Sequence, residues 1–430
     1  MKRILLATMP VGGGHTALRD SLWTALADPV REGPPFELLC FDSRDTKVSG
    51  FYDFCIHQAP SLQRVLFDLG NTRSALPVSA LLNPQLEAEA RRALLDFRPD
   101  LVLSTHFLLS AMFVRARRRL GPRPPIVSAI PDYGEPTNVF APAQPAYRMD
   151  ALLAMVPRVR ERLLARGDYP PSRVHLSGFI PHAPFRELGR RLGGRSRLSP
   201  EERRGLWEEL RAEHPPCRTL DASRPTLLFL GGSAWTEKTR PVLERLLRTP
   251  ALLEHLNVVV VCGRNEAFHD ALKARVGERP GWALFAFVGA ELLARLMVLA
   301  DVPVLGSLAP ASMHELMETR CGPLMLFHII PGSEDAHPAY IREQELGLYE
   351  TDPDAMLSLL AQATGLRPPG RDLAHLLRVY PQRMRDLRNA NEERARRLGP
   401  FLARLMEGLP PAVRSPHDGW EESSGAPPPF

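Results

Sequence analysis

One rhythm, played twice, constrains this chain more than any other feature. Short β-rich apolar runs alternate with helix-period segments, and each half opens with a strand that runs straight into glycines. In the first half, residues 4–8 lead into Val11-Gly12-Gly13-Gly14-His15 and a helix over 16–27. Strands follow at 36–41, 101–104, 126–130 and 151–155, with a helix over 85–97. In the second half, 226–230 leads into Leu230-Gly231-Gly232-Ser233-Ala234. Strands at 257–262, 283–287, 302–305 and 323–327 then alternate with helices at 266–276, 290–299 and 311–319. A parallel neighbour is reached only through a crossover, so this alternation builds parallel sheets covered by helices. The expected fold class is α/β, with two Rossmann-like doubly wound lobes.

The halves are separated by 181–224, where Pro181, Pro184, Gly193, Gly194, Pro200, Pro215 and Pro216 surround one helical pattern at 200–213. Such punctuation marks a linker. The expected organisation is a first lobe over 1–180, the linker over 181–224 and a second lobe over 225–370. Helices over 371–407 follow, then a tail over 408–430 whose Pro, Ser and Gly content predicts disorder. Residues 51–82 hold aromatic and apolar side chains but too much Pro, Gly and Asn for one long helix, and read as an insertion with a surface role.

A chain of 430 residues with 44% hydrophobic and 24% charged residues has the composition of a globular protein of two or three domains. The net charge of +5 is too small for a nucleic-acid-binding signature, so no nucleic-acid partner is expected. Only Lys2, Lys47, Lys238 and Lys273 are lysines, and this arginine skew matches GC-rich coding rather than a site. The five cysteines are scattered without CxxC or zinc spacing, which predicts a reducing cytoplasm and no structural metal. After Met1-Lys2-Arg3 the apolar run is too short for a signal peptide. No run approaches the length of a spanning helix, so membrane contact would be peripheral, on the inner face of the cell membrane.

Glycine turns of this kind let backbone amides approach a ligand and aim a helix N-terminus at it. Neither turn is GxGxxG, and neither is the GxxxxGK[ST] of a P-loop, which disfavours nicotinamide enzymes and phosphate-hydrolysing ATPases. The motifs come in a fixed order. Gly12 to His15 is followed by Arg98-Pro99-Asp100 leading into Ser104-Thr105-His106, then by Ile130-Pro131-Asp132-Tyr133. The second half contributes Gly231-Gly232-Ser233, Cys262-Gly263-Arg264-Asn265, Phe287-Val288, Glu315 in a His-Glu-Leu helix start, and Pro331-Gly332-Ser333-Glu334-Asp335. Over most of residues 1–350 this series resembles the GT-B glycosyltransferases of the monogalactosyldiacylglycerol synthase and processive diacylglycerol glucosyltransferase type, related to the peptidoglycan transferase MurG.

The resemblance implies a hexosyltransferase with a cleft between a first, acceptor-binding lobe and a second, nucleotide-sugar-binding lobe. It also implies a UDP-sugar donor, no other cofactor, no metal, and a lipid acceptor of the diacylglycerol kind held in the first lobe. Glu315 would bind the ribose, Glu334 and Asp335 the donor sugar, and Ser312 would lie in the loop against the diphosphate. Gly13, Gly14 and His106 would line the acceptor side. Two departures make donor affinity or identity unusual. The loop Gly306-Ser307-Leu308-Ala309-Pro310-Ala311-Ser312 puts Leu308 and Pro310 where the family has a Gly-Gly turn, and His337 stands near the family's Asn.

Sugar transfer from a nucleoside diphosphate needs a base for the acceptor hydroxyl and dipoles or charge for the departing diphosphate. His15 on its glycine turn suits the first task, or else caps the helix that follows. Asp132, at a strand end, is a second base, a group that orients His15, or a turn cap. His106 faces the acceptor or is buried on a backbone carbonyl. Gly232 and Ser233 can offer amides and a hydroxyl to the diphosphate. Arg264 flanks the base or phosphates, or is one surface arginine among many. The cluster Arg115, Arg117, Arg118, Arg119 and Arg123 either meets anionic lipid or forms a solvated helix face. Asp352-Pro353-Asp354 spells the DxD of metal-dependent transferases but lies past the nucleotide segments and is read as chance. A UDP-N-acetylglucosamine 2-epimerase and a non-catalytic sugar-nucleotide-binding protein are the rival readings.

Overall fold

The structure is a computed structural model that describes residues 1–9, 13–28, 32–44, 50, 60–121, 124–134, 137–193, 195, 197–232 and 236–408. Two parallel six-stranded sheets organise it. The first has the order β2-β1-β3-β4-β5-β6, from β1 (Lys2–Thr8), β2 (Phe36–Asp42), β3 (Leu101–Ser104), β4 (Ile126–Ile130), β5 (Ala151–Ala154) and β6 (Val174–Leu176). The second has the order β12-β11-β10-β7-β8-β9, from β7 (Thr226–Leu230), β8 (Asn257–Val261), β9 (Trp282–Phe285), β10 (Val302–Leu305), β11 (Leu324–Leu326) and β12 (Gly347–Tyr349). The central strands are buried along their whole length, as the side chains of LVLS, IVSAI, TLLFL and NVVVV require when helices cover both faces. Strand β2 at the sheet edge is only partly buried. The architecture is α/β with two Rossmann-like lobes and a C-terminal helical segment.

The helices that shape the site are α1 (Gly14–Ala27), α2 (Pro60–Gly70), α3 (Ala75–Leu82), α4 (Pro84–Phe97) and α5 (Phe107–Leu120) in the first lobe. Next come α6 (Ala183–Leu192) and α7 (Pro200–Glu213), then α8 (Pro310–Thr319), α9 (Arg371–Arg396) and α10 (Leu398–Met406). The expected linker therefore contains two helices. Pro184 and Pro200 sit in the first turns of α6 and α7, where a missing N–H costs nothing, so they start helices rather than break the chain. Ser199 and Glu202 close a capping box on α7.

Helix α9 runs back to the first lobe. The Asn391 side chain accepts from Phe179 N at 2.7 Å and donates to Phe179 O, while α10 packs against α1 and β6. The lobes also meet directly. Tyr133 Oη donates to Pro310 O at 2.8 Å, Arg64 pairs with Asp335 at 2.9 Å and Arg158 pairs with Glu343 at 2.7 Å. Within the insertion, α2 and α3 account for most of 60–82; residues 51–59 and the tail 409–430 lie outside the described residues. Among the described residues no helix is long and apolar enough to cross a membrane.

Candidate active site in the interlobe cleft

Both sheets direct the C-terminal ends of their strands toward the cleft, where open α/β sheets place ligands. Helix α1 starts just beyond β1 with Gly13 as its N-cap, no side-chain cap and no acidic residue in its first turn. A Cβ on Gly13 or Gly14 would meet nothing within 4 Å, so protein packing does not demand glycine there and the space is open to a ligand. Gly12 lies outside the described residues.

His15 Nδ1 lies 2.6 Å from the carbonyl oxygen of Thr105. A carbonyl can only accept, so Nδ1 carries the hydrogen and the ring lone pair is on Nε2. Burial pushes the imidazole down to about 4, against the opposing effect of the Thr105 bond, so the ring is neutral at pH 7. The ring makes no cap to α1. Thr105 Oγ1 is 3.0 Å from His15 O and 2.8 Å from Thr8 Oγ1, which fixes the turn from beneath.

His106 packs its ring 4.7 Å from that of His15 and stacks on Phe107. It is buried, and its Nδ1 has no partner among the described residues. Burial, then the neighbouring His15, hold it well below its ordinary value. His106 is thus a buried neighbour of the His15 ring, and its buried state matches the alternative reading while the backbone-carbonyl bond is not made at Nδ1.

Asp132 follows β4 and its carboxylate caps nothing among the described residues. Burial raises it to about 6. No bond joins it to His15. Beside it the buried Tyr133 ring stacks on Tyr340 at 5.0 Å and meets His337 edge-on at 5.5 Å.

In the second lobe, α8 begins after Ala309 with no side-chain cap and no acidic first-turn residue. Leu308 is fully buried in the core, and Pro310 occupies the first helical turn. The bulk of Leu308 therefore turns inward, Pro310 still brings no amide, and the amides of Ala311 and Ser312 remain as free donors of the helix start. Glu315 on α8 is buried, lacks a carboxylate partner among the described residues, and is pushed up to about 7 by burial. His337 is buried with neither ring nitrogen partnered among the described residues.

Glu334 and Asp335, the residues expected to contact the donor sugar, have partners within the protein. Glu334 Oε1 accepts from Ser307 Oγ at 2.6 Å and Oε2 from Ile330 N at 2.9 Å. Asp335 Oδ1 accepts from Gly332 N at 3.0 Å, and Oδ2 pairs with Arg64. Both carboxylates shape the loop.

Gly232 adopts φ +57°, the left-handed conformation that favours glycine, in the turn after β7; Ser233 lies outside the described residues. The Arg264 guanidinium lies over the Phe287 ring at 5.5 Å, and Phe287 is 62% exposed. A large exposed aromatic at a strand end offers a planar surface to a base, and an apolar letter in a strand-like run does not announce it. His328, after β11, donates from Nδ1 to Gly306 O at 3.1 Å.

The arginine cluster is about half neutralised. Arg115 and Arg119 share Glu87 at 2.7 and 3.1 Å, Arg117 pairs with Asp150, Arg118 is exposed, and Arg123 lies outside the described residues. Of the DxD letters, Asp352 caps the helix Pro353–Ala363 through Ala355 N at 2.8 Å, and Asp354 pairs with Arg245 at 2.9 Å. Both have structural duties.

No protein-family model and no curated protein matches the chain. Solved structures do. UDP-GlcNAc 2-epimerase from Neisseria meningitidis, bound to UDP-GlcNAc, is 11% identical with a TM-score of 0.55, covering 94% of this chain and 100% of that one. The UDP-forming α,α-trehalose-phosphate synthase from Burkholderia xenovorans is 16% identical with a TM-score of 0.55, over 95% and 100%. MurG from Acinetobacter baumannii is 14% identical with a TM-score of 0.51, over 92% and 98%. Likeness at these identities is one of fold: the chain has the two-lobed GT-B architecture.

Proposed function

We propose that the chain is a metal-independent, inverting glycosyltransferase that moves a hexose from a UDP-sugar to a lipid alcohol of the diacylglycerol kind, working in the cytoplasm against the inner face of the membrane. The observations that carry this reading are a neutral imidazole, His15, on the glycine turn of the first lobe, the uncapped N-terminus of α8 on the second, and the contact between α1 and α8. In the reaction, His15 Nε2 takes the proton of the acceptor hydroxyl as its oxygen attacks the anomeric carbon. The bond from that carbon to the diphosphate oxygen breaks, and UDP leaves with the electron pair. The amides of Ala311 and Ser312, with the α8 dipole, stabilise the charge that develops there. Single displacement from the opposite face inverts the anomeric centre.

Lipid is favoured as the acceptor by the surface of α2 and α3, where Val65, Leu69, Val78, Leu81 and Leu82 are each at least half exposed. Turnover tests the reading. UDP release from UDP-glucose, UDP-galactose and UDP-GlcNAc, measured with and without diacylglycerol vesicles, should depend on the lipid and yield a glycolipid by mass spectrometry. The epimerase reading draws on the neighbours of that name and on Glu334, which burial above all, and Asp132 nearby, push up to about 7. Both Glu334 oxygens are engaged, so proton exchange at a sugar carbon would fall to Asp132 and Glu315, and the exposed apolar surface of α2 and α3 favours transfer to lipid instead. An epimerised UDP-sugar formed without acceptor would reverse that judgement, and UDP binding with neither reaction would make the chain a binding protein.

Glu315 gives a pH prediction. Ribose hydroxyls donate to the carboxylate and favour its charged form, whereas the free chain holds the carboxyl up at about 7. UDP should therefore bind more tightly as pH rises from 6 to 8, losing up to about tenfold per pH unit below the shifted value. Calorimetry should find that component absent in Glu315→Gln, the titration of UDP itself being common to both proteins. An equally steep profile in Glu315→Gln would assign the ribose to another group.

A further inference from the structure

The partly buried arginines of α9 have acceptors, with one exception. Arg383 donates to Gln344 O at 3.1 Å, Arg385 to Gln382 Oε1 at 2.6 Å and Arg388 to Glu318 Oε2 at 3.0 Å. The guanidinium of Arg394 is partly buried too, yet it has no hydrogen bond and no ion pair among the described residues. Burial holds it below its ordinary value, and Tyr340 rather than any carboxylate is the neighbour that opposes this. A charge taken from water without a partner is costly, and a fold keeps one where something outside the chain can compensate it.

The surroundings of Arg394 come from both lobes. Arg394 lies one turn beyond Asn391, whose Oδ1 accepts from Phe179 N at 2.7 Å. Phe179, from the first lobe, stacks its ring on His314 of α8 at 4.9 Å. Tyr340, in the helix His337–Glu343, stacks on Tyr133 at 5.0 Å, and the Tyr133 ring lies 6.2 Å from that of His314. His314 is buried with neither ring nitrogen partnered among the described residues. Burial, and then Arg394, push it down to about 3, so it is a neutral ring with one N–H to donate. Burial pushes the Tyr340 phenol up against the effect of Arg394, so it keeps its hydrogen at pH 7. A guanidinium fork, an imidazole N–H and a phenol O–H are thus gathered at the lobe junction with no anion among them.

We propose that Arg394, His314 and Tyr340 form a binding site for a small free oxyanion of the phosphate class, separate from the diphosphate site at the start of α8. The planar fork of Arg394 matches two oxygens of such an ion, and charge-assisted bonds are the strong ones. The rings of Phe179, Tyr133 and Tyr340 are buried, which favours a free ion over the phosphoryl group of a bulky ester. The bound ion joins α9 to α8 and braces the junction of the lobes. The site does not depend on the chain transferring sugar.

The test titrates the full chain with inorganic phosphate by calorimetry under saturating UDP, which fills the diphosphate site, and repeats the titration with glycerol 3-phosphate. Wild type should bind one phosphate and raise its unfolding temperature with phosphate concentration, whereas the ester should bind at least about tenfold more weakly. Arg394→Gln should weaken phosphate by about 10- to 100-fold, the worth of a charge-assisted bond, and Arg394→Lys should keep part of the affinity. His314→Phe, which keeps the stack on Phe179, should weaken phosphate by less. In phosphate-free buffer Arg394→Gln should be at least as stable as wild type, because it removes a charge that nothing in the chain compensates. UDP-saturated wild type that binds no phosphate, or Arg394→Gln that binds it equally well, would overturn the site. Arg394→Gln unfolding at a lower temperature in phosphate-free buffer would make the arginine structural, and equal binding of the ester would overturn the free ion. Should UDP itself fail to bind, the reading of the function falls, while the loss of phosphate in Arg394→Gln still decides the site.

Discussion

His15→Ala is expected to lower glycosyl transfer by about 10²–10⁴-fold, the usual worth of a positioned general base, while leaving UDP affinity unchanged. The separation follows from geometry. His15 sits on the first lobe, bonded through Nδ1 to Thr105 O, and the elements assigned to UDP belong to the second. The pH profile supplies a second signature. Only neutral imidazole can accept the proton, and His15 is held down to about 4, so the activity of wild type should not fall at pH 6.5 as an ordinary histidine would require. The same shift has a sign for stability: a histidine with a depressed folded-state value contributes stability above pH 6.5 that is lost as pH falls toward 4. Steady-state rates and UDP calorimetry on the purified variant decide the matter. Full activity in His15→Ala would move the base to another group, with Asp132 first in line.

What was legible in the sequence was whatever depends on burial along the chain. The runs at β3, β4, β7 and β8 are apolar because both faces of a parallel strand are covered, so the two sheets could be read from letters alone. The glycine turns were legible too, since a strand that ends in glycines before a helix has few other uses. Edge strands β6 and β12 were missed because three residues hold no periodicity. Proline was misleading at α6, which it begins, whereas the helical pattern at 200–213 was read and is α7.

Side-chain direction was the larger gap. Glu334 and Asp335 read as sugar ligands, and spacing did not show that their oxygens also meet Ser307, Ile330, Gly332 and Arg64, two of them near in sequence, one from a distant loop of the same lobe and one from the opposite lobe. Leu308 read as added bulk in the donor loop and is buried in the core. Arg115, Arg117 and Arg119 read as free cations until Glu87 and Asp150 were placed beside them. Each of these turns on a contact between distant segments, which one-dimensional spacing does not encode.

Ser312→Asp should move stability and binding in opposite directions. Ser312 stands in the first turn of α8, which has neither a side-chain cap nor an acidic residue. A carboxylate there meets the positive end of the helix dipole and should stabilise the fold by about 0.3–1 kcal/mol. For a diphosphate at the same helix start, that carboxylate is a like charge. At about 4 Å and a surface-like effective dielectric, repulsion is worth about 4 kcal/mol per pair of charges, which corresponds to about a thousandfold in affinity. Ser312→Ala, which removes only a hydroxyl, should weaken UDP by about tenfold or less. Thermal unfolding and UDP calorimetry on both variants separate a damaged fold from a blocked site, because damage lowers the two together. If Ser312→Asp is more stable and still binds UDP like wild type, the diphosphate does not use α8, and the Gly232 turn becomes its seat.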